Sequence, residues 1–491
     1  MKNLIFLQLL SLAAIFGLLP LSLNAETVTI TQTKTGKSLE VTVKGVEGGV
    51  LAFTTGTEKT FFIPINQLTP ESVETIKEQL SAAAKPPTSN LAEVNSVNGV
   101  IGHNLFGEVA SLWKEDAGAI AERLDWRLES KKENTSSYRL YTKLDYIFLG
   151  AHPYCVTLYG GKGNLAKHMS LVYANKGDFG SRLGMGEDHF KIAFPDKKPP
   201  GDLNEAIEFD AEMITEKLTA GLGDPVEQYY GEKEDKRKVK RWDFNDHAFL
   251  LSTTEDEYTY LLIVSTENAD LEGKVDFIVD SDFRKIQIKN VVTESNGDVW
   301  VNNIPMVDQG PKGYCAPATF ERAMRYMNVP ADMYLLATAA TSPEGGTNTS
   351  KLSEDCKRIV RSKARRIKEL ELHEDFGIKT LKKFIDKGVP VLWQMCSLTQ
   401  YNEIANERSK AREEVTDFSA WATEISTEAA QYVPTLENVK DNYHICMVIG
   451  YNEATNEVAV SDSWGPRYEI RWVHVDIAKA VTSRGGFAID F

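Results

Sequence analysis

Asp308-Gln309-Gly310-Pro311-Lys312-Gly313-Tyr314-Cys315-Ala316-Pro317-Ala318-Thr319 is the stretch around which the 491-residue chain is organised. After Cys315 the pattern turns helical, with Ala316, Ala318, Phe320, Ala323, Met324 and Met327 recurring at three- and four-residue spacing. Pro317 suits a first helical turn, where a missing N–H is tolerated. A cysteine at a helix start lies among N–H groups that lack intrahelical acceptors, at the positive end of the helix dipole. Both features favour the thiolate, which is the nucleophilic form. Gln309 sits six residues earlier and supplies a side-chain amide.

Lone cysteines are mostly core residues, so a reactive Cys315 needs partners. His444 begins a strand in N-Y-H-I-C-M-V-I-G-Y, and Asp462, eighteen residues on, ends the next strand in A-V-S-D-S-W-G. Adjacent hairpin strands can hold two such side chains at one sheet edge. There the carboxylate accepts one imidazole N–H and the other ring nitrogen faces a thiol on a packed helix. The Gln309 amide and the Cys315 backbone N–H can stabilise an oxyanion. Taken singly, His444 reads as a structural strand residue, Asp462 as a turn residue and Gln309 as a surface loop residue. Their order Gln, Cys, His, Asp, each at the edge of a suitable element, carries the reading. Cys446, two residues after His444, shares its face by strand alternation and is expected to be a core thiol.

Q-G-P-K-G-Y-C-A resembles the papain-like cysteine peptidases, and S-D-S-W-G at 461–465 is similar to their N-S-W-G, with Asp462 in place of the asparagine. I-P-M-V-D-Q-G…C-A-P-A-T with H-I-C-M-V-I-G-Y-N is more similar to the bacterial branch related to bacteriocin-leader (double-glycine) peptidases, which commonly uses Cys-His-Asp. The resemblance covers about 200 C-terminal residues. It implies Cys315 as nucleophile, His444 as general base and acid, Asp462 as orienter and Gln309 as oxyanion donor. It also implies substrate contacts at Trp464, in the place of the tryptophan that shields the catalytic pair, and at Tyr314 beside the cysteine. A thiol hydrolase cutting peptide amides is the leading reading. A thiol acyltransferase or transglutaminase-like enzyme with the same triad, and a non-catalytic binder on a peptidase fold, stay open.

Composition sets the bounds. The formal net charge of −15, from 55 basic against 70 acidic residues, disfavours nucleic acid or an anionic membrane as main partner. A peptide or protein substrate fits better. Lys2 followed by the apolar run Leu4–Leu23 and Asn24-Ala25 reads as a signal peptide over 1–25. The mature protein is then secreted or periplasmic, without stable membrane association. Cys155, Cys315, Cys356, Cys396 and Cys446 make an odd count, which leaves at least one thiol outside any disulfide in an oxidising compartment. No C-x-x-C pair or His/Cys cluster has zinc spacing, so no metal or other cofactor is expected.

The predicted organisation is a multidomain α+β chain. Residues 26–80 read as a small SH3-like β-barrel with a helix after Thr69-Pro70, and 81–95 as a linker. Residues 96–292 read as a central α+β domain and 293–491 as a papain-like α+β domain. Within the central domain the spacing predicts a helix over Leu105–Leu124, strands at Tyr138–Thr142, Tyr146–Leu149, Cys155–Tyr159 and Met169–Tyr173, and a helix over Glu208–Leu222. A hairpin of Ala248–Ser252 and Tyr258–Val264 follows a charged loop over Glu232–Lys240. Gly160-Gly161-Lys162-Gly163 lacks the ending of a phosphate loop, and His152, His168, His189 and His247 read as structural. This domain, upstream of the peptidase-like part, is expected to dock near the cleft and restrain access. In the last domain Leu352–Leu370 reads as one basic helix.

Overall fold

The structure is a computed structural model that describes residues 27–47, 50–55, 60–83, 91–107, 111–179, 188–274, 280–310, 313–340 and 346–491. The signal-peptide segment 1–25 lies outside the described residues. The chain divides into two compact units, Met1–Pro87 and Thr88–Phe491, and is multidomain α+β with several antiparallel sheets. Among the described residues no helix is long and apolar enough to cross a membrane.

The first unit holds four antiparallel strands in sequence order: β1 (Val28–Thr31), β2 (Ser38–Glu47), β3 (Val50–Thr54) and β4 (Thr60–Pro64). Alternation sends Ile30, Val41, Leu51, Phe53, Phe61 and Ile63 into one core with Ile76 of the helix Pro70–Ala83. That helix starts where Thr69 Oγ1 accepts the Ser72 N–H at 3.4 Å. The strands follow one another as a meander, and an isolated bridge joins Gln32 to Leu68.

The second unit contains two eight-stranded sheets. The central sheet comprises β5 (Arg127–Lys131), β6 (Ser136–Tyr141), β7 (Cys155–Gly160), β8 (Ala166–Asn175), β9 (Val226–Tyr230), β10 (Arg237–Phe244), β11 (His247–Thr254) and β12 (Tyr258–Ser265). Their order is β5-β6-β7-β8-β12-β11-β10-β9, antiparallel throughout. Both faces are covered, which is why β7, β12 and the first six residues of β11 are buried almost without alternation. Leu261 and Ile263 face a core shared with Ile214 and Leu218 of the helix Leu203–Leu222. Tyr260, Leu262 and Val264, on the opposite face, join Tyr314 and Ala318 and the helix Met333–Ala340. The central sheet is therefore packed against the element that carries Cys315.

The C-terminal sheet comprises β13 (Val291–Thr293), β14 (Asp298–Val301), β15 (Arg366–Leu370), β16 (Val391–Cys396), β17 (Tyr443–Asn452), β18 (Glu457–Ser461), β19 (Arg471–His474) and β20 (Thr482–Asp490). Its main path runs β13-β14-β17-β16-β20-β15, with β18 and β19 continuing from β17. The helix Cys315–Tyr326 packs on it, where Phe320 meets Phe487 and Thr319 Oγ1 donates to the Ile445 carbonyl at 3.0 Å.

Several expectations are corrected. The Leu105–Leu124 helix shrinks to Ala117–Leu124, because Asp116 caps it by accepting the N–H groups of Gly118 and Ala119. Tyr146–Leu149 forms a turn closed by the Phe148–Ala151 bridge, with Leu149 and Gly150 at positive φ. The charged stretch Glu232–Lys240 is loop only in its first half, since β10 begins at Arg237 and pairs on both sides. Leu352–Leu370 divides into the helix Thr349–Ser362 and β15, with Ala364 left-handed between them and β20 supplying the pairing. No disulfide joins any of the five cysteines. Gly161–Leu165 is a tight turn between β7 and β8.

Candidate active site

Cys315 is the first residue of its helix and is partly exposed, while Ala316 to Met324 behind it are buried. Its sulfur lies within hydrogen-bonding reach of the His444 ring and of the Ile445 N–H. His444, near the start of β17, has Nε2 2.8 Å from Asp462 Oδ1, which leaves Nδ1 to face the sulfur. Strand register explains the meeting. Met447 pairs with Ser461, so Asp462, one residue further, falls on the face shared by Cys446 and His444. The diagonal reach across such a pair suits long side chains.

Charge follows this geometry. Burial acts to raise the Cys315 thiol, but hydrogen bonding and charge from His444, with the Ile445 N–H, outweigh it and bring the thiol below its ordinary value. Burial acts to lower His444, yet the Asp462 charge and hydrogen bond, then Cys315, push the imidazole up to about 10. Burial likewise opposes ionisation of Asp462, but His444 and Arg471 hold it below its usual range. A row of sulfur, imidazole and carboxylate of this kind favours a thiolate–imidazolium pair at neutral pH.

Gln309 is buried, and its backbone is tied to the Asp462 turn. The Gln309 N–H donates to the Ser463 carbonyl at 2.9 Å, and Ser463 Oγ donates to Gln309 Oε1 at 2.8 Å. Trp464 stacks on His444 with ring centroids 4.9 Å apart, and Tyr468 meets Trp464 edge-on. Tyr314 is buried, its ring edge-on to Tyr334 and its hydroxyl against Gly177, where a Cβ would sit 1.6 Å from the oxygen.

Three further residues support this constellation. Arg471 Nη2 donates to Asp462 Oδ2 at 2.9 Å, while Nη1 reaches Asn402 and Asn406. Arg322, two helical turns beyond Cys315, donates to the Pro305 carbonyl and to Ser461 Oγ. Ser463 bridges Asp462 and Gln309, its N–H donating to Asp462 Oδ1 at 2.9 Å. Arg471 lies nine residues beyond Asp462, and only the pairing of β18 with β19 turns it back. Ser463 is adjacent to Asp462 in the sequence.

Of the other singled-out groups, His247, His152 and His168 lie in the central sheet region, the His189 side chain lies outside the described residues, and Cys446 lies beside the row. His247 Nε2 accepts the Leu112 N–H at 3.0 Å, and His152 Nδ1 pairs with the Tyr146 carbonyl. His168 stacks on Tyr159 and is driven down to about 3, chiefly by burial. Cys446 is fully buried, and its thiol is pushed well above its ordinary value, chiefly by that burial and next by Asp462. No curated protein matches the chain. Residues 301–482 match the model of the Peptidase_C39 like family, a span that holds Gln309, Cys315, His444 and Asp462, and the C-terminal region is accordingly that of a C39-like peptidase of the papain type.

Proposed function

We propose that the chain is an exported papain-like thiol hydrolase that cleaves peptide amide bonds with Cys315, His444 and Asp462, and with Gln309 as oxyanion donor. The observation that supports this reading is the row itself: a cysteine at a helix N-terminus within hydrogen-bonding reach of an imidazole whose Nε2 is 2.8 Å from a buried carboxylate. The Cys315 thiolate attacks the scissile carbonyl carbon, and the carbonyl π pair moves onto oxygen. The Gln309 NH2 group and the Cys315 N–H stabilise that charge. As the tetrahedral species collapses, the C–N bond breaks and imidazolium gives its proton to the leaving amine. Water, deprotonated by the neutral imidazole, then attacks the thioester; the C–S bond breaks and the thiolate returns to pair with imidazolium. Asp462 keeps the ring oriented, and Arg471 keeps Asp462 ionised. Trp464 excludes water from one side of the ring, and Tyr314 contributes through its packing behind the cysteine.

The N-terminal leader, and with it a secreted or periplasmic location, belongs to this proposal, as does a binding or spacer role for the small SH3-like β unit. Digestion of a peptide library by the wild type and by Cys315→Ala tests the activity. Cleavage confined to the wild type is expected, with a loss of at least about 10³-fold in the variant. Products of equal abundance from both proteins would refute it.

A further inference from the structure

The residues around Gln309 are gripped from outside the family-matched span. The Met306 N–H donates to Ser130 Oγ at 2.9 Å, and the Asp308 N–H donates to Glu129 Oε1 at 2.8 Å. Tyr141 Oη donates to the Asp308 carbonyl at 2.6 Å. All three partners belong to β5 or β6 of the central sheet. They come from 167 to 179 residues upstream, so the contacts are purely tertiary. Gly310 has φ +65° and lies against the Tyr141 ring, where a Cβ would sit 2.7 Å from Cζ. Only a residue without a side chain admits the ring there in that conformation.

The grip is itself braced. Arg139 Nε donates to Glu129 Oε1 at 2.7 Å, and Arg139 Nη2 lies 3.8 Å from Glu321 on the Cys315 helix. On the opposite side of the strap, Ser463 holds Gln309 through its carbonyl and its hydroxyl. Residues 306–310 are thus fixed between the central sheet and the turn that carries Asp462. An oxyanion donor must lie within a few tenths of an ångström of its place, since a displacement of about 1 Å costs on the order of 10²-fold in rate. A strap clamped at three backbone groups by a second sheet meets that need.

Resting on the reading of Cys315 as nucleophile and Gln309 as oxyanion donor, we propose that Glu129, Ser130 and Tyr141 are positioning residues for Gln309. The central sheet is then a working part of the catalytic site. None of the three touches the reacting atoms; they act through the backbone of Met306–Gly310.

The test uses the full chain with Tyr141→Phe, Gln309→Ala and the double variant. Three readouts are compared: steady-state cleavage of the peptide best cut in the library digest, the rate of iodoacetamide alkylation at Cys315, and hydrogen exchange at the amides of 306–310. Tyr141→Phe should lower kcat about 10-fold with KM unchanged. Alkylation, which needs the thiolate but no oxyanion donor, should stay within about twofold of the wild type. The double variant should be no slower than Gln309→Ala, since one loss contains the other. Exchange at 306–310 should quicken while the Cys315 helix stays protected. Ser130→Ala, which removes only the Met306 contact, repeats the comparison if Tyr141→Phe does not fold. An unchanged kcat, single losses that multiply in the double variant, or unchanged exchange would overturn the proposal. A wild type that is alkylated yet cuts no peptide would instead sink the peptidase reading, and the exchange data would still decide whether the sheet holds the strap.

Discussion

Two buried charge clusters occupy opposite ends of β17, roughly 26 Å apart at about 3.3 Å per residue. At the His444 end, sulfur, imidazole and carboxylate stand in a row whose outermost member is partly exposed. At the Asn452 end, Arg412 makes a two-pronged bond to Asp298 at 2.8 and 2.6 Å and a third bond to Glu457 at 2.9 Å. Asn452 Nδ2 adds a bond to Asp298, and Trp421 Nε1 adds one to Glu457. A cavity of about 330 Å³ borders this second cluster, lined by Trp300, Phe418 and Trp472. Its charges are closed on themselves. Burial opposes ionisation of Asp298, but Arg412 and Asn452 keep it below its usual range, and a guanidinium stays charged near neutrality. The His444 row differs in having a group that titrates between an acid and a thiol. A proton can move there, and that property, more than cavity volume, marks a site of chemistry.

The sharpest way to break this contrast is to remove one member from each end. Cys315→Ala should abolish turnover, by at least about 10³-fold, while leaving the unfolding transition of residues 88–491 near that of the wild type. Arg412→Ala should do the reverse. It leaves Asp298 and Glu457 buried without their cation, which costs about 3–5 kcal/mol. Urea unfolding followed by tryptophan fluorescence should register that loss, and kcat per folded molecule should stay unchanged. A destabilised Cys315→Ala or an inactive but stable Arg412→Ala would erase the distinction.

A second contrast lies between the two sheets as sequence. The C-terminal site was legible because its residue types are scarce and its elements local: a helix opening at Cys315 and a hairpin joining His444 to Asp462 are both readable from periodicity and turns. Strands β6, β7, β8, β11 and β12 of the central sheet are legible for the same reason. Its grip on Met306–Gly310 was not legible, since Ser130 and Tyr141 are ordinary strand residues until folding brings them to a segment more than 160 positions away. Arg366–Leu370 reads as a continuation of a basic helix, and only pairing with β20 makes it a strand. In that case tertiary pairing overrode local propensity. The shortened helix at Ala117 did carry a signal, an aspartate just before small helix formers, and the apolar spacing upstream masked it. The expected restraint of the cleft by the central domain fares differently. A removable cover would meet the enzyme through a wetter surface, whereas Leu262, Val264, Tyr314 and Met333 share one buried cluster. A fragment of residues 293–491 should therefore lose activity and aggregate, not gain activity.

The smallest predicted effect concerns protons alone. His444 is raised to about 10, so its favourable interaction in the folded state is fully present below the ordinary imidazole value of about 6.5 and fades as pH rises through about 10. Asp462 is depressed, so its contribution is present above the ordinary carboxylate value and fades as pH falls. The thiolate–imidazolium pair is bounded on the acid side by the lowered Cys315 and on the alkaline side by His444. Alkylation of Cys315 by iodoacetamide should thus remain fast below the ordinary thiol value, and kcat/KM should hold a plateau that declines only toward pH 10. Asp462→Asn keeps the shape and an acceptor oxygen for the ring but removes the charge. His444 then loses its largest source of stabilisation as a cation, and the alkaline decline should move toward neutrality while maximal kcat falls about 10-fold. If that limb stays in place, the carboxylate charge is not what holds the imidazole protonated, and the two ends of β17 differ less than their geometry says.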